Sequence, residues 1–290
     1  MTRIFDILNR GKGEIADAIR PMVETDQDQV SAVPTEKRET PVATPEAIRT
    51  LRFHLPAPSP LLPFEEGQWR PSEQYRILRT KIVQHPKQPH LIVVSSPASG
   101  DGKSVTTINT AGALSLKNEG HVLLLDADLR KSTIHALLGL PESPGLAEVL
   151  TGACTLEEAL VHAQDFPNLF VLSGGKAVEN PVELLDSAAW QALCTKLRSL
   201  FRYVVVDSPP AGAVADYDLI QAVCDGVIMV VRPDHTDRRL CFKSLDNIPK
   251  AKFLGVLLNC VPDWKPARHA GADYYYYSAQ KTYTRVKDKV

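Results

Sequence analysis

From residue 71 onward, short apolar runs alternate with stretches in which apolar residues recur every three or four positions. LIVVSS (91–96), HVLLLDAD (121–128), LFVLSGG (169–175), YVVVD (203–207), GVIMVV (226–231) and FLGVLLN (253–259) are near-continuous in apolar residues. Such runs, too short for helices and rich in Val and Ile, predict strands buried on both faces. Between them lie helical stretches at PSEQYRILRTKIVQ, with Ser72 as N-cap, from Lys103 to about 116, a long one through PVELLDSAAWQALCTKLRSLF, and others near 214–224 and 236–247. Strand–helix alternation of this kind implies an α/β domain with a mostly parallel sheet and helices on both faces. No internal repeat breaks the pattern.

The flanks read differently. In residues 1–20, Ile4, Phe5, Leu8, Ile15 and Ile19 form one stripe at helical spacing, weakened by Gly11 and Gly13. An amphipathic helix docking on its own domain or a partner fits this better than one lying on lipid. Residues 21–70 are proline-dense and aperiodic and read as an extended linker; LPAPSPLLP within it suits a spacer or a proline-reading partner. Residues 71–264 hold the α/β pattern, and 265–290 form a mildly basic tail with six Lys/Arg against two Asp. Five of the eight tyrosines (Tyr274, Tyr275, Tyr276, Tyr277, Tyr283) sit in the last 17 residues, four of them adjacent. Neighbouring positions cannot all face one core in a helix or a strand, so packing does not account for the run.

Composition narrows the options. A net charge of −1 argues against nucleic-acid binding through overall charge. Five cysteines without CxxC spacing suit buried thiols in a reducing cytosol rather than disulfides or a zinc site. No run approaches the ~20 apolar residues of a membrane span, and the charged N-terminus has no signal-peptide core. The expected location is cytoplasmic.

The chemistry begins at SSPASGDGKS (95–104), which follows a strand and opens a helix. Gly100 and Gly102 let backbone amides approach phosphate oxygens, Lys103 supplies a positive charge, and Ser104 offers a hydroxyl to Mg²⁺. Ser99, Asp101 and Val105 complete the stretch assigned to the nucleotide. The usual P-loop has glycine at the position of Pro97. Two further strands end in carboxylates: Asp126 and Asp128 in LLLDADLRK, and Asp207 in YVVVDSPP. At the C-terminal edge of a parallel sheet all three converge on the loop, where a cation bound to phosphates would offset them.

Together, the loop, DADLR and DSPP resemble the bacterial tyrosine kinases that accompany polysaccharide synthesis and export. Glu73, Arg76 and Arg79 in EQYRILR match that family's subunit-contact helix, and ENPVELL matches its NPxELL segment. The resemblance covers about residues 70–290. Ser99 departs from the proline usual there.

The resemblance implies a P-loop NTPase fold, ATP and Mg²⁺, and autophosphorylation of the tyrosine cluster in trans within a ring-like homo-oligomer. It assigns catalysis to Lys103, Asp126, Asp128 and Arg130, metal to Ser104, Asp128 and Asp207, and the adenine edge to Asn259. Asp126 would orient or deprotonate the phenol. Arg130 is equally a phosphate contact or a salt-bridge partner, and Asn259 equally a strand-end turn former. The implied activator is the cytoplasmic end of a membrane polysaccharide co-polymerase, which would hold the chain at the inner face of the plasma membrane. The alternatives are a ParA/MinD-like ATPase, whose signature lysine is Ala98 here, and a nucleotide-binding adaptor without catalysis.

Overall fold

A computed structural model describes residues 3–4, 48–55, 59–64, 69–117 and 119–261. The tyrosines at 274–277 and 283 lie outside the described residues, as do nearly all of the N-terminal stripe and the first half of the proline-rich stretch.

The central strands are β3 (Leu91–Ser95), β4 (Val122–Asp126), β6 (Leu169–Leu172), β7 (Tyr203–Asp207), β8 (Gly226–Val231) and β9 (Phe253–Leu258). Shorter ones are β1 (Arg3–Ile4), β2 (Arg49–Leu51) and β5 (Val161–Ala163). They form one nine-stranded sheet in the order β1-β9-β8-β3-β7-β4-β6-β5-β2. All pairs from β9 to β6 are parallel, β5 runs antiparallel to β6, and β1 antiparallel to β9. The chain leaves β3, places β4 two strands away, and later inserts β7 between them, so the ends of these strands meet at one crevice.

Strand period divides the core into two halves. Leu91, Val93, Leu123, Leu125, Val204 and Val206 face a cluster with Trp190, Leu193 and Leu197. Ile92, Val94, Leu124 and Val205 face the other, with Leu78, Ile82, Ile108 and Leu114. Each such side chain, fully removed from water, contributes about 1.5–3 kcal/mol, which is why the strands needed no alternation to be legible.

Helices α1 (Trp69–Val83), α2 (Lys103–Ser115), α7 (Ala188–Leu200), α8 (Ala215–Val223) and α9 (Arg238–Asp246) cover the sheet, with short α3 (Ile134–Leu138), α4 (Leu146–Thr151), α5 (Leu156–Ala159) and α6 (Pro181–Leu185). Four expectations are corrected. Arg3–Ile4 pair with β9 as a strand instead of starting a helix. The helix expected to start at Ser72 begins at Trp69, so Ser72 is a buried internal residue and no cap. The long helix over 181–201 is two helices, because the Ser187 hydroxyl accepts from the Trp190 amide and starts α7 afresh. Finally, the stretch expected to be linker is partly domain. β2 pairs with β5, and Leu61 and Leu62 are buried against α2. Asn109 of α2 holds that segment, accepting from the Leu62 amide at 2.6 Å and donating to the Pro60 carbonyl at 2.9 Å. A Cβ on Gly112 would meet Leu62 at 2.4 Å, so α2 needs glycine for this approach.

Candidate active site

The loop between β3 and α2 turns on two glycines in the left-handed region, Gly100 (φ +89°) and Gly102 (φ +93°), which a side chain would strain. Gly102 caps α2, so the first amides of a 13-residue helix point into the loop. Lys103 sits just inside, 15% exposed, with Nζ 3.3 Å from Asp128 Oδ2. Burial works to lower its pKa, but Asp207, Asp128 and Asp126 outweigh this and raise it, so the ammonium stays charged.

The three carboxylates converge as expected, each with a different role. Asp207 is fully buried and accepts from Ser104 Oγ at 2.6 Å and Thr107 Oγ1 at 3.1 Å. Burial, opposed by Lys103, pushes its pKa up to about 7. Asp126 is also fully buried. Its Oδ2 accepts from Ser132 Oγ (2.8 Å) and the amides of Thr133 (3.0 Å) and Ile134 (3.1 Å), anchoring the start of α3, while Oδ1 accepts from the Asp128 amide. Burial raises its pKa against those bonds. Asp128 lies between them and pairs with Lys103.

Three carboxylates and one hydroxyl around a single lysine form an all-oxygen donor set with surplus negative charge, and this fits Mg²⁺. Among the described residues no cluster of three or more His, Cys, Asp or Glu is arranged to hold a metal by itself, so Ser104, Asp128 and Asp207 would hold the ion together with nucleotide phosphates. Thr133 Oγ1, 3.3 Å from Ser104 Oγ, links the metal-side hydroxyl to α3.

This charge surplus has a thermal signature. Asp207's folded pKa is raised, so its stabilising share is present at low pH and is lost as pH rises through about 7. Without nucleotide, the melting temperature of the wild type should fall between about pH 4 and pH 7 relative to that of Asp207→Asn, and level off above. Parallel curves in a calorimetric scan would refute it.

Of the two roles open to Arg130, the structure shows the salt bridge. Nε and Nη2 bond the buried Asp216 of α8 at 2.8 and 2.9 Å. Asn259, at the end of β9, donates Nδ2 to the Asp101 carbonyl at 2.9 Å and so braces the loop. Ser99 and Gly100 are exposed at the rim and Val105 is half-buried. On α1, Glu73 and Arg76 form an exposed pair at 3.5 Å, whereas Arg79 turns inward to the Ala113 carbonyl of α2. The residues missed from sequence are Thr107, Thr133, Asp216, His235 and Thr236. The first two sit at short spacing from known motif residues and were open to discovery. The others come from distant segments.

A glycine loop opening a helix beside strand-end carboxylates, on a parallel sheet of this order, defines a P-loop nucleotide-binding protein. The family model described as "ParA: NUBPL iron-transfer P-loop NTPase" matches residues 87–282. The tyrosine-protein kinase YwqD of Bacillus subtilis is 34% identical over 208 residues, covering 70% of this chain and 86% of that protein. The tyrosine-protein kinase CpsD of Streptococcus agalactiae is 32% identical over 193 residues, covering 65% and 83%. The crystal structure of the chimerical protein CapA2B2 superimposes with a TM-score of 0.66 at 29% identity, covering 74% of this chain and 94% of that one. Within the ParA-type P-loop NTPases, the chain belongs to the bacterial tyrosine-protein kinase family.

Proposed function

We propose that this protein is an ATP-dependent protein-tyrosine autokinase. Its substrate is its own C-terminal cluster, Tyr274, Tyr275, Tyr276, Tyr277 and Tyr283, presented by a neighbouring subunit of a ring-like homo-oligomer. We place it in the control of exopolysaccharide or capsule synthesis or export, activated by the cytoplasmic end of a membrane co-polymerase. Among the described residues no helix is long and apolar enough to cross a membrane, which is compatible with a separate membrane partner. The observation that carries the reading is the charged Lys103 held at the glycine loop by Asp128, with Asp126 and Asp207 close by.

Phosphoryl transfer is mainly positioning and charge stabilisation. Lys103 and the loop amides would bind the β- and γ-phosphates, and Ser104, Asp128 and Asp207 would hold Mg²⁺, which would supply positive charge to offset the phosphates. The bond from the γ-phosphorus to the bridging oxygen breaks as the tyrosine oxygen bonds to phosphorus. A phenol of pKa ~10 needs a base near neutral pH. We assign its proton to Asp126, whose burial-raised pKa suits that task. Arg130 acts indirectly, fixing the segment after β4 to α8 through Asp216. Glu73, Arg76 and Arg79 form the subunit contact in this proposal, and Asn259 supports the loop at the adenine side. Each added phosphate brings about 1.5–2 negative charges, so repulsion within the tail releases it and opens the ring.

Replacing all five tail tyrosines with phenylalanine is expected to remove at least nine-tenths of the incorporated label after incubation with ATP and Mg²⁺, by order-of-magnitude reasoning from a single dominant acceptor cluster. Phosphopeptide mass spectrometry of the wild type should place the label at 274–283. Undiminished labelling in the substituted chain would end the proposal. ATP hydrolysis without any tyrosine label would favour the partitioning-type ATPase.

A further inference from the structure

Asp101 places a carboxylate inside the glycine loop. It lies between the two left-handed glycines, is fully buried, and carries a carboxylate where a polyanion must bind. Its oxygens are satisfied from the loop itself and from the turn after β8. Oδ2 accepts from the Ala98 amide at 3.0 Å, and Oδ1 accepts from Thr236 Oγ1 at 2.7 Å and is bonded by His235 Nδ1 at 2.9 Å. Thr236 and His235 belong to the tight turn after β8, where both of their amides donate to the Arg232 carbonyl and the Thr236 hydroxyl also accepts from the Arg232 amide. The imidazole lies at the loop's rim, its Cε1 3.4 Å from where a Cβ of Gly100 would stand. It is 43% exposed, so solvent reaches it.

Two of these three donors are neutral; the imidazole alone can become a cation. A buried carboxylate beside incoming phosphates costs free energy unless a positive charge offsets it. Lys103, the loop's own cation, is engaged with Asp128. We propose that His235 is a positioning residue that serves as the counter-charge of Asp101, so that an anionic nucleotide entering the loop draws a proton onto the imidazole. This deepens, and rests on, the nucleotide site assigned above.

Other groups set the background. The charged residues on its own turn are Arg232, Asp234 and Asp237, and Asp237 is used to cap α9 through the Leu240 amide. From α9 the Cys241 thiol is pushed up by burial and then by the charge of Asp101, so it stays protonated. Arg238 is turned over the Phe242 ring at 5.5 Å. From the loop, Asp101 is the facing charge.

The sign follows from linkage. If the bound state favours imidazolium, nucleotide affinity is highest at low pH and falls as pH rises. The test is titration of the full chain with fluorescently labelled ADP at fixed excess Mg²⁺, from pH 6.0 to 8.5. His235→Gln keeps a donor for Asp101 without a titrating charge, and it also absorbs the nucleotide's own ionisation. One coupled proton changes affinity by at most tenfold per pH unit, and about fivefold weakening between pH 6 and 8, relative to His235→Gln, is expected. Asp101→Asn removes the need for a counter-charge and should flatten the profile as well, with His235 intact. Equal slopes in wild type, His235→Gln and Asp101→Asn overturn the proposal. The readout is independent of tyrosine labelling. Labelled ADP binding with the expected slope, in a chain that never phosphorylates its tail, would refute the kinase assignment and support this one.

Discussion

Lys103→Met should abolish phosphotyrosine on residues 274–283, with a loss of at least ~100-fold against wild type, because the proposed function assigns to this lysine the charge of the transferring phosphate. Lys103 is also the counter-ion of a buried acidic cluster, and its loss has a second, separable consequence. Asp207 is held up to about 7 even with Lys103 present. Without the ammonium, the carboxylates move further up and take protons at neutral pH. The variant should therefore fold at pH 6 with little cost. At pH 8, where charge is forced on the cluster, it should be less stable by on the order of 3 kcal/mol, the scale of a broken buried pair. Urea unfolding at the two pH values, run beside phosphopeptide mass spectrometry, separates loss of catalysis from loss of fold. Retained tail labelling in this variant would refute the assignment of the site.

Gly102→Ala is expected to be the most damaging small substitution. The residue sits at φ +93°, and a Cβ there would stand 2.0 Å from Asn259 Nδ2. Backbone strain at such a position costs about 1–3 kcal/mol. The clash adds to it by driving away the amide that holds the Asp101 carbonyl. Both effects fall on the loop's amides, so labelled ADP should bind at least ~100-fold more weakly, since ~3 kcal/mol corresponds to that factor. Asn259→Ala alone removes one brace and should weaken binding by about tenfold, the worth of one hydrogen bond. Combining the two relieves the clash and leaves the strain. The double variant should thus bind better than Gly102→Ala alone, and equal affinities would assign the whole defect to φ.

How far the sequence speaks for itself is clear from these residues. Four of the six long strands, β3, β4, β7 and β8, were legible because every residue is buried and so both faces must be apolar, and β6 and β9 were legible from their short apolar runs although Phe170 is half-buried and Phe253 exposed. The loop glycines, Lys103, Ser104 and the carboxylates at strand ends were legible too, because a parallel sheet brings the C-terminal ends of its strands to one edge. The site's convergence follows from topology alone.

What stayed hidden depends on partners far away in the chain. β2 is a three-residue edge strand in a proline-rich stretch, and it exists because β5 pairs with it. The segment around Leu61 and Leu62 carries no periodicity; Asn109 and a glycine on α2 make its berth. Ser72 looked like a cap because Ser before an acidic residue usually is one, yet α1 starts a turn earlier and buries it.

Within the site the division is sharper. Residue types and spacing determined that three carboxylates meet at the lysine of a glycine loop, Lys103. Tertiary structure alone decided that Arg130 belongs to Asp216, that Asn259 grips the loop, and that Asp101 is tied to His235 and Thr236. These pairs lie 86 to 158 positions apart. Local pattern records which face of an element is buried, whereas a hydrogen bond between two strand-end loops depends on where the folded sheet sets them side by side.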